Sequence, residues 1–563
     1  MMILESANKQ ILSSPKNRLL RIHPADNVLV ALTDFRKGEQ ISFEDVHCTL
    51  VTNVSAKHKF AINDLAIGDK ITMYGFLVGR AIEPIRKGEV ITTRNTQHDA
   101  SEYGYQPAEF AWTPPDISKW KERTFLGYHR SDGQVGTGNY WLVIPMVFCE
   151  TRNVNVIKQA FEKELGFAQP EIYRNQVADL VKLYQEGKLS ELENYQGKEL
   201  DYAPHQKKIF ENIDGIKFLV HEGGCGGTRE DANNLCALLA GYIHHPNVAG
   251  ATVLSLGCQH AQVAILRREI KKRNPDFDKP LLVFEQQQSE SEFAMLSAAI
   301  KDTFLAMVEA NKLTRQPASL SHLSIGLECG GSDGFSGLSA NPAIGHTSDL
   351  VTALGGKTIL SEFPELCGVE QQIINRCTEE DVANRFIQLM RDYAARAEAV
   401  GSSLSMNPSP GNIKDGLITD AIKSAGAAKK GGTSPVAAVL DYPEYATQAG
   451  LNLLCTPGND VESTTAEVAA GANVVLFTTG LGTPMGNPIV PVVKLATNSN
   501  LAQRMPDIID IDCGGIINGE KGIEETGEEV LEFIIKVASG EVKTKAQILG
   551  QDDFIPWKRG VSL

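Results

Sequence analysis

Ser324-Ile325-Gly326-Leu327-Glu328-Cys329-Gly330-Gly331-Ser332-Asp333-Gly334-Phe335-Ser336-Gly337 is the stretch from which the rest of the chain is read. The apolar run 323–327 predicts a buried strand. It breaks into a glycine-dense turn holding a carboxylate, a thiol, a hydroxyl and a second carboxylate. Glycine lets the backbone bend sharply and approach a bound molecule, and open α/β sheets hold ligands at the carboxyl ends of strands. Glycines alone would read as a tight loop. Glu328, Cys329 and Asp333 beside them turn the reading toward a site. The bare GxSxG match at 330–334 is discounted. A nucleophile elbow leads straight from strand into helix, whereas here more glycine follows at Gly334 and Gly337.

The same arrangement recurs along the chain. Apolar runs at 216–220, 252–256, 281–284, 357–360, 451–454, 474–477 and 508–511 predict further strands, as does 141–148. Polar loops follow many of them: residues 221–229 with Cys225, Gly257-Cys258-Gln259-His260, Ser361-Glu362-Phe363-Pro364-Glu365, Cys455-Thr456-Pro457-Gly458-Asn459-Asp460, and 478–484. Amphipathic helices lie between. One begins with a capping-box-like Thr378-Glu379-Glu380-Asp381, and another spans 528–537. Alternating short strands and helices predict parallel sheets, with a shared cleft at their carboxyl edge. An α/β fold class follows.

Residues 19–98 read differently. Residues 31–41 are echoed by 81–91 and more weakly by 65–71, each a short apolar run, a glycine turn and another apolar residue. Such repeated turns predict a small β-rich domain. The expected organisation is a flexible tail 1–18, this β domain 19–98, and an aromatic-bearing linker 99–125. A second α/β domain 126–312 follows, with a charged helical insert near 168–208, and then a C-terminal α/β domain 320–563. In the insert Val177, Leu180, Val181 and Tyr184 form one apolar stripe.

The net charge of −15, from 54 basic and 69 acidic residues, argues against nucleic-acid binding. There is no apolar run of membrane-spanning length and no secretory signal, so a cytoplasmic protein is expected. Ten cysteines occur without a CxxC pair, which disfavours a disulfide framework or zinc-finger-type site. Walker and HExxH motifs are absent. Cys225, Cys258 and Cys329 share strand-end positions, and three such thiolates suit a single iron ion or an iron–sulfur cluster with one open position. The competing reading is a set of small buried hydrophobes. His58, His129, His221 and His260 are further candidate ligands or acid/base groups, and Lys414, Lys423, Lys429 and Lys430 make one segment locally basic.

Taken together, these stretches resemble the altronate/galactarate dehydratase family from about Leu19 onward. The carriers are His58-Lys59-Phe60-Ala61 in a SAF-type β domain, residues 224–226, Gly257-Cys258, residues 328–334, Asn341-Pro342, residues 407–412, Pro457-Gly458-Asn459-Asp460, Gly482-Thr483-Pro484 and residues 494–498. The longer helical stretch 168–208 and the surroundings of Cys225 and Cys258 depart from the family pattern. The resemblance implies a cytoplasmic hydro-lyase of hexuronate catabolism. It would take D-altronate to 2-dehydro-3-deoxy-D-gluconate and depend on ferrous iron, with manganese sometimes implicated. Galactarate or another sugar acid is the alternative substrate, and a non-catalytic sugar-acid-binding module the distant one. Candidate catalytic groups are Glu328, Asp333, His58 and His129. Candidate substrate contacts are Lys59, Arg130, Ser332, Asn412, Asn459 and Asp460, and candidate metal ligands are Cys225, Cys258 and Cys329. The expected partner is a small sugar acid, with no nucleic acid or membrane; self-association stays open.

Overall fold

The computed structural model describes residues 18–107, 110–197 and 207–563. Almost all of the stretch read as a tail, and residues 198–206 of the insert, lie outside the described residues. The chain forms two units. The first gathers Met1–Phe125, Ala318–Pro484 and Val492–Ala538; the second gathers Leu126–Pro317, Met485–Pro491 and Ser539–Leu563.

The first unit is built on a seven-stranded, wholly parallel sheet. Its spatial order is Val436–Leu440, Gly450–Leu454, Lys357–Leu360, Ser324–Cys329, Val474–Thr479, Val492–Ala496 and Ile511–Asp512. The central strands are buried on both faces, as a parallel sheet covered by helices requires: Ile325, Leu327, Ile359, Val475 and Leu476 are all 0% exposed. The chain leaves Ser324–Cys329 toward one edge and later returns to Val474–Thr479 on its other side. Loops at the carboxyl ends of these two neighbours therefore leave in opposite directions, the switch point at which open α/β sheets hold ligands.

Two strands of this sheet escaped the sequence reading, Val436–Leu440 and Val492–Ala496. Pro435 and Pro491 immediately precede them and gave each the look of a turn. The strand expected at 508–511 is only Ile511–Asp512. The helix expected from Thr378 starts at Glu380 without a capping box, and the Thr378 hydroxyl instead donates to the Val436 carbonyl at 3.3 Å.

The N-terminal β domain consists of short antiparallel strands joined by recurring turns. It is continuous with the α/β part of its unit. Val28, Val30, Ile71 and Val78 share one apolar core with Phe335, Leu338, Leu417, Ile418, Ala421 and Ile422. The linker also packs: Trp120 is buried, its indole N–H donates to Glu532 Oε1 at 2.9 Å, and Arg123 pairs with the same carboxylate.

The second unit holds four parallel strands in the order Gly215–Phe218, Tyr140–Pro145, Val248–Ser255 and Leu281–Glu285. The insert contributes the helix Ile172–Gln185, which has no buried residue and leaves Val177, Val181 and Tyr184 exposed. No described helix is long and apolar enough to cross a membrane.

Candidate active site

Three neighbouring strands of the seven-stranded sheet, on one side of that switch point, carry the candidate groups at their carboxyl ends. Ser324–Cys329 delivers Glu328 and Cys329. Lys357–Leu360 runs into Ser361 and Glu362, and a short turn then adds Glu365. Gly450–Leu454 leads through Pro457–Asn459 to Asp460, the first residue of the helix Asp460–Ala469. Lys423 and Lys430 come from the locally basic segment beside them.

These groups form one network. Lys430 Nζ lies 3.0 Å from both Cys329 Sγ and Glu362 Oε2. The Cys329 thiol donates to Glu365 Oε2 at 3.1 Å. Lys423 Nζ pairs with Glu365 Oε1 at 2.7 Å and also donates to Asn407 Oδ1. Behind them, Ser361 Oγ stands 2.7 Å from Glu328 Oε2 and 2.8 Å from Glu467 Oε1, and Ser463 Oγ bonds Glu328 Oε1. A single hydroxyl between two carboxylates favours a proton on Glu328 or Glu467, in keeping with the raised carboxyls of both.

Glu362 holds a left-handed backbone, φ 62° and ψ 63°, which is costly for a residue with a Cβ. Its N–H donates to Thr456 Oγ1 at 2.8 Å, which helps hold it there. Gly330 must be glycine, because a Cβ would lie 1.9 Å from Asp460 Oδ2 and 2.5 Å from the Phe477 ring. The Asp460 carboxylate thus rests against bare backbone.

Burial dominates the electrostatics. It pushes the Glu362 carboxyl up to about 8, with Glu365 adding to the rise and Lys430 opposing it. Burial, with Glu362 and Glu467, raises Glu328 well above the usual range. Glu467 is pushed up to about 7 by burial, and Asp460 to about 6 by burial and Glu365. Burial also acts upward on Glu365, but Lys423 and Lys430 outweigh it and its carboxyl sits below its ordinary value. Burial works against the charge on Lys430, yet Cys329, Glu362 and Glu365 hold the ammonium firmly.

A divalent cation fits here. Cys329 Sγ and one oxygen each of Glu362 and Glu365 lie within 4.8 Å of one another, as do oxygens of Glu328, Glu362 and Asp460. Glu362 Oε1 is buried without a hydrogen-bond partner. One soft thiol with hard carboxylates suits a borderline transition metal.

The other residues singled out from the sequence fall in several places. Asp333 is fully buried and saturated: Thr497 Oγ1 at 3.0 Å, Phe335 N at 3.1 Å, Ser336 Oγ at 3.2 Å, Asn498 Nδ2 at 3.3 Å and Lys57 Nζ at 3.0 Å all reach its carboxylate. The Ser332 carbonyl accepts from Asn412 Nδ2 at 2.8 Å, which ties the glycine loop to the short helix Pro410–Lys414. Asn459 is exposed beside Asp460. Lys59 is fully buried, its Nζ on the Gly416 carbonyl at 2.8 Å, and burial pulls its amine down to about 7. His58 is half-buried, and burial lowers its imidazole.

Cys225, Cys258, His129 and Arg130 belong to the second unit. Both thiols are exposed, and neither joins a three-ligand cluster among the described residues. His129 is exposed with Nε2 3.1 Å from the Pro317 carbonyl, while Arg130 braces the Pro246 carbonyl and Asn139 Oδ1. His221 uses both ring nitrogens locally, on the Pro145 carbonyl and the Gly223 N–H. Glu362, Glu365 and Glu467 were not singled out. The first two stood in a strand-end loop with two carboxylates, a readable signal, whereas Glu467 inside a helix gave none.

Outside the network, burial raises Glu370 to about 7 from an ordinary 4.5, despite the Gly368 N–H it accepts at 2.7 Å. The folded state keeps a proton that the unfolded chain releases above about 4.5, so this contribution is fully present below that pH and is lost as pH rises to about 7. Glu370→Gln is expected to flatten the decline of urea midpoints across that window. An unchanged slope would contradict this account of Glu370.

Buried carboxyls that keep protons near neutrality, faced by fixed lysines at the carboxyl ends of a parallel sheet, are the arrangement of a candidate acid–base site of an α/β enzyme. Family models match consecutive stretches: Altronate/galactarate dehydratase SAF domain over residues 17–99; D-galactarate dehydratase/Altronate hydrolase, second domain over 127–311; and D-galactarate/Altronate dehydratase, C-terminal over 320–562. The chain is 34% identical to Altronate dehydratase of Escherichia coli (strain K12) over 525 residues, 93% of this chain and 95% of that protein. It is also 34% identical to Altronate dehydratase of Bacillus subtilis (strain 168) over 526 residues, with the same coverage of 93% and 95%. To Galactarate dehydratase (L-threo-forming) of E. coli it is 29% identical over 534 residues, 94% of each chain. The chain belongs to the altronate/galactarate dehydratase family.

Proposed function

We propose that this chain is a hydro-lyase converting D-altronate to 2-dehydro-3-deoxy-D-gluconate and water, a step of hexuronate catabolism in the cytoplasm. The observation that carries the reading is the convergence of Cys329, Glu362, Glu365 and Asp460 at the carboxyl ends of three neighbouring strands, in a chain matched to altronate dehydratases over nearly its whole length. Such a reaction removes a proton from C2 beside an already negative carboxylate, so the site must neutralise that carboxylate and stabilise an enediolate-like intermediate.

Asp460 is brought up to about 6, and unlike the fully buried carboxyls it stands at the half-open side of the network, where a substrate can reach it. We assign it the C2 proton. Lys423, held by Glu365 and Asn407, is assigned to face the substrate carboxylate as a point charge. Cys329, Glu362 and Glu365 would hold ferrous iron, or manganese. A metal there supplies Lewis acidity toward substrate oxygens.

Anaerobic incubation with D-altronate, with and without Fe²⁺, is expected to yield a 2-keto acid only when iron is present. Galactarate runs alongside because a galactarate dehydratase matches over the same extent. Turnover of galactarate alone would move the substrate, and turnover of neither acid would overturn the reading.

A further inference from the structure

Four turns of the SAF domain, residues 35–39, 54–58, 65–69 and 85–89, follow one backbone plan. Their first residues pair with one another, Phe35 with Val54 and Leu65 with Ile85. The fourth residue of each donates its N–H to a carbonyl at or just past a strand end: Gly38 to Leu50 at 2.7 Å, Lys57 to Ala31 at 2.7 Å, Gly68 to Ala81 at 2.8 Å and Gly88 to Ala61 at 2.8 Å. All four adopt left-handed φ: 86°, 73°, 89° and 83° in chain order. Three are glycine, as that conformation favours, and one is Lys57.

The fifth residue departs in the same turn. Glu39, Asp69 and Glu89 each close their own turn by accepting the N–H of Arg36, Ala66 and Arg86, at 3.2, 2.8 and 3.1 Å. The second turn has His58 instead, whose Nδ1 lies 3.2 Å from the Ala56 carbonyl. One turn in four has therefore given up both its glycine and its closing carboxylate.

That turn meets the glycine motif. A Cβ on Gly334 would lie 2.7 Å from the Lys57 carbonyl and 2.7 Å from its Cβ, and one on Gly416 would lie 2.4 Å from the same carbonyl. Lys57 Nζ pairs with buried Asp333 at 3.0 Å and with Asp415 at 3.5 Å. Glycine at 57 would build the turn without strain, so the turn alone does not account for lysine.

We infer that Lys57 is a positioning residue of the active site: its ammonium, held on a glycine-type backbone, fixes the 330–334 loop that Asp460 rests against. The kinetic side of this inference rests on the dehydratase reading; the loop-ordering side does not.

Lys57→Gly restores the pattern of the other three turns and tests the two roles in opposite directions. A lysine that served only the turn would leave the variant with full activity and equal or greater stability. A positioning role predicts a fall in kcat of about 10²-fold, with KM little changed, in a folded protein. Ethylamine added to the variant should recover part of that kcat. In the substrate-free protein, amide exchange across 330–334 should quicken relative to the wild type. Wild-type kcat, or unchanged exchange in that loop, would overturn the inference. If the wild type turns over no sugar acid, the exchange measurement still decides it, and the failure belongs to the substrate reading.

Discussion

Asp460→Asn should lower kcat by about 10²–10⁴-fold, the range for loss of a positioned acid/base group. The change keeps the shape of the side chain and removes its negative charge together with its ability to exchange a proton. Burial and the neighbouring Glu365 bring this carboxyl to about 6, so as a base it becomes competent as pH rises through that value. The wild-type kcat/KM profile should therefore climb with an acid limb near 6, and the limb should vanish in Asp460→Asn. Gly330→Ala offers an independent route to the same loss. A methyl there would stand 1.9 Å from Asp460 Oδ2 and 2.5 Å from the Phe477 ring, so the carboxylate must move from its present place. If Asp460→Asn kept more than a tenth of the activity, or kept the acid limb, the C2 proton would have to be assigned elsewhere.

Above about pH 8, where Glu362 is ionised, Lys430→Met is expected to cost about 3–5 kcal/mol of stability, the penalty for leaving a buried charge without its partner. Lys430 is 1% exposed and is the cation nearest Glu362, whose Oε2 it meets at 3.0 Å, as well as the partner of Cys329. Methionine fills a similar volume, so the loss would report charge rather than a cavity. The double variant Lys430→Met with Glu362→Gln should recover much of it, because neither charge then stands alone. Guanidinium unfolding of the four proteins gives the coupling directly. Purely additive losses would show that Lys430 and Glu362 do not act as a pair.

Much of the architecture was legible because it rests on local periodicity. Apolar runs marked most of the parallel strands, and turn glycines marked the β domain, three of its four turns in particular. The strands behind Pro435 and Pro491 were hidden because proline at a strand's entrance resembles proline in a loop. In the site, Glu328 and Cys329 were visible as polar residues ending a hydrophobic strand. Glu362 and Glu365 were visible as a pair yet stayed unassigned, since nothing in their own loop shows that Cys329 and Lys430 meet them.

By itself, the sequence determined that this is an α/β chain with a small β domain at its start and that its motifs are those of the dehydratase family, and it put its candidate site residues at strand carboxyl ends. Only the tertiary structure decided which of those ends converge. Lys430 and Glu362 are 68 residues apart, Ser463 and Glu328 are 135 apart, and Lys57 meets Asp333 from another domain of its unit. Strand order sets those meetings. It brings distant loops together at the carboxyl ends of three neighbouring strands, where exclusion of water raises the carboxyls and holds the lysines charged.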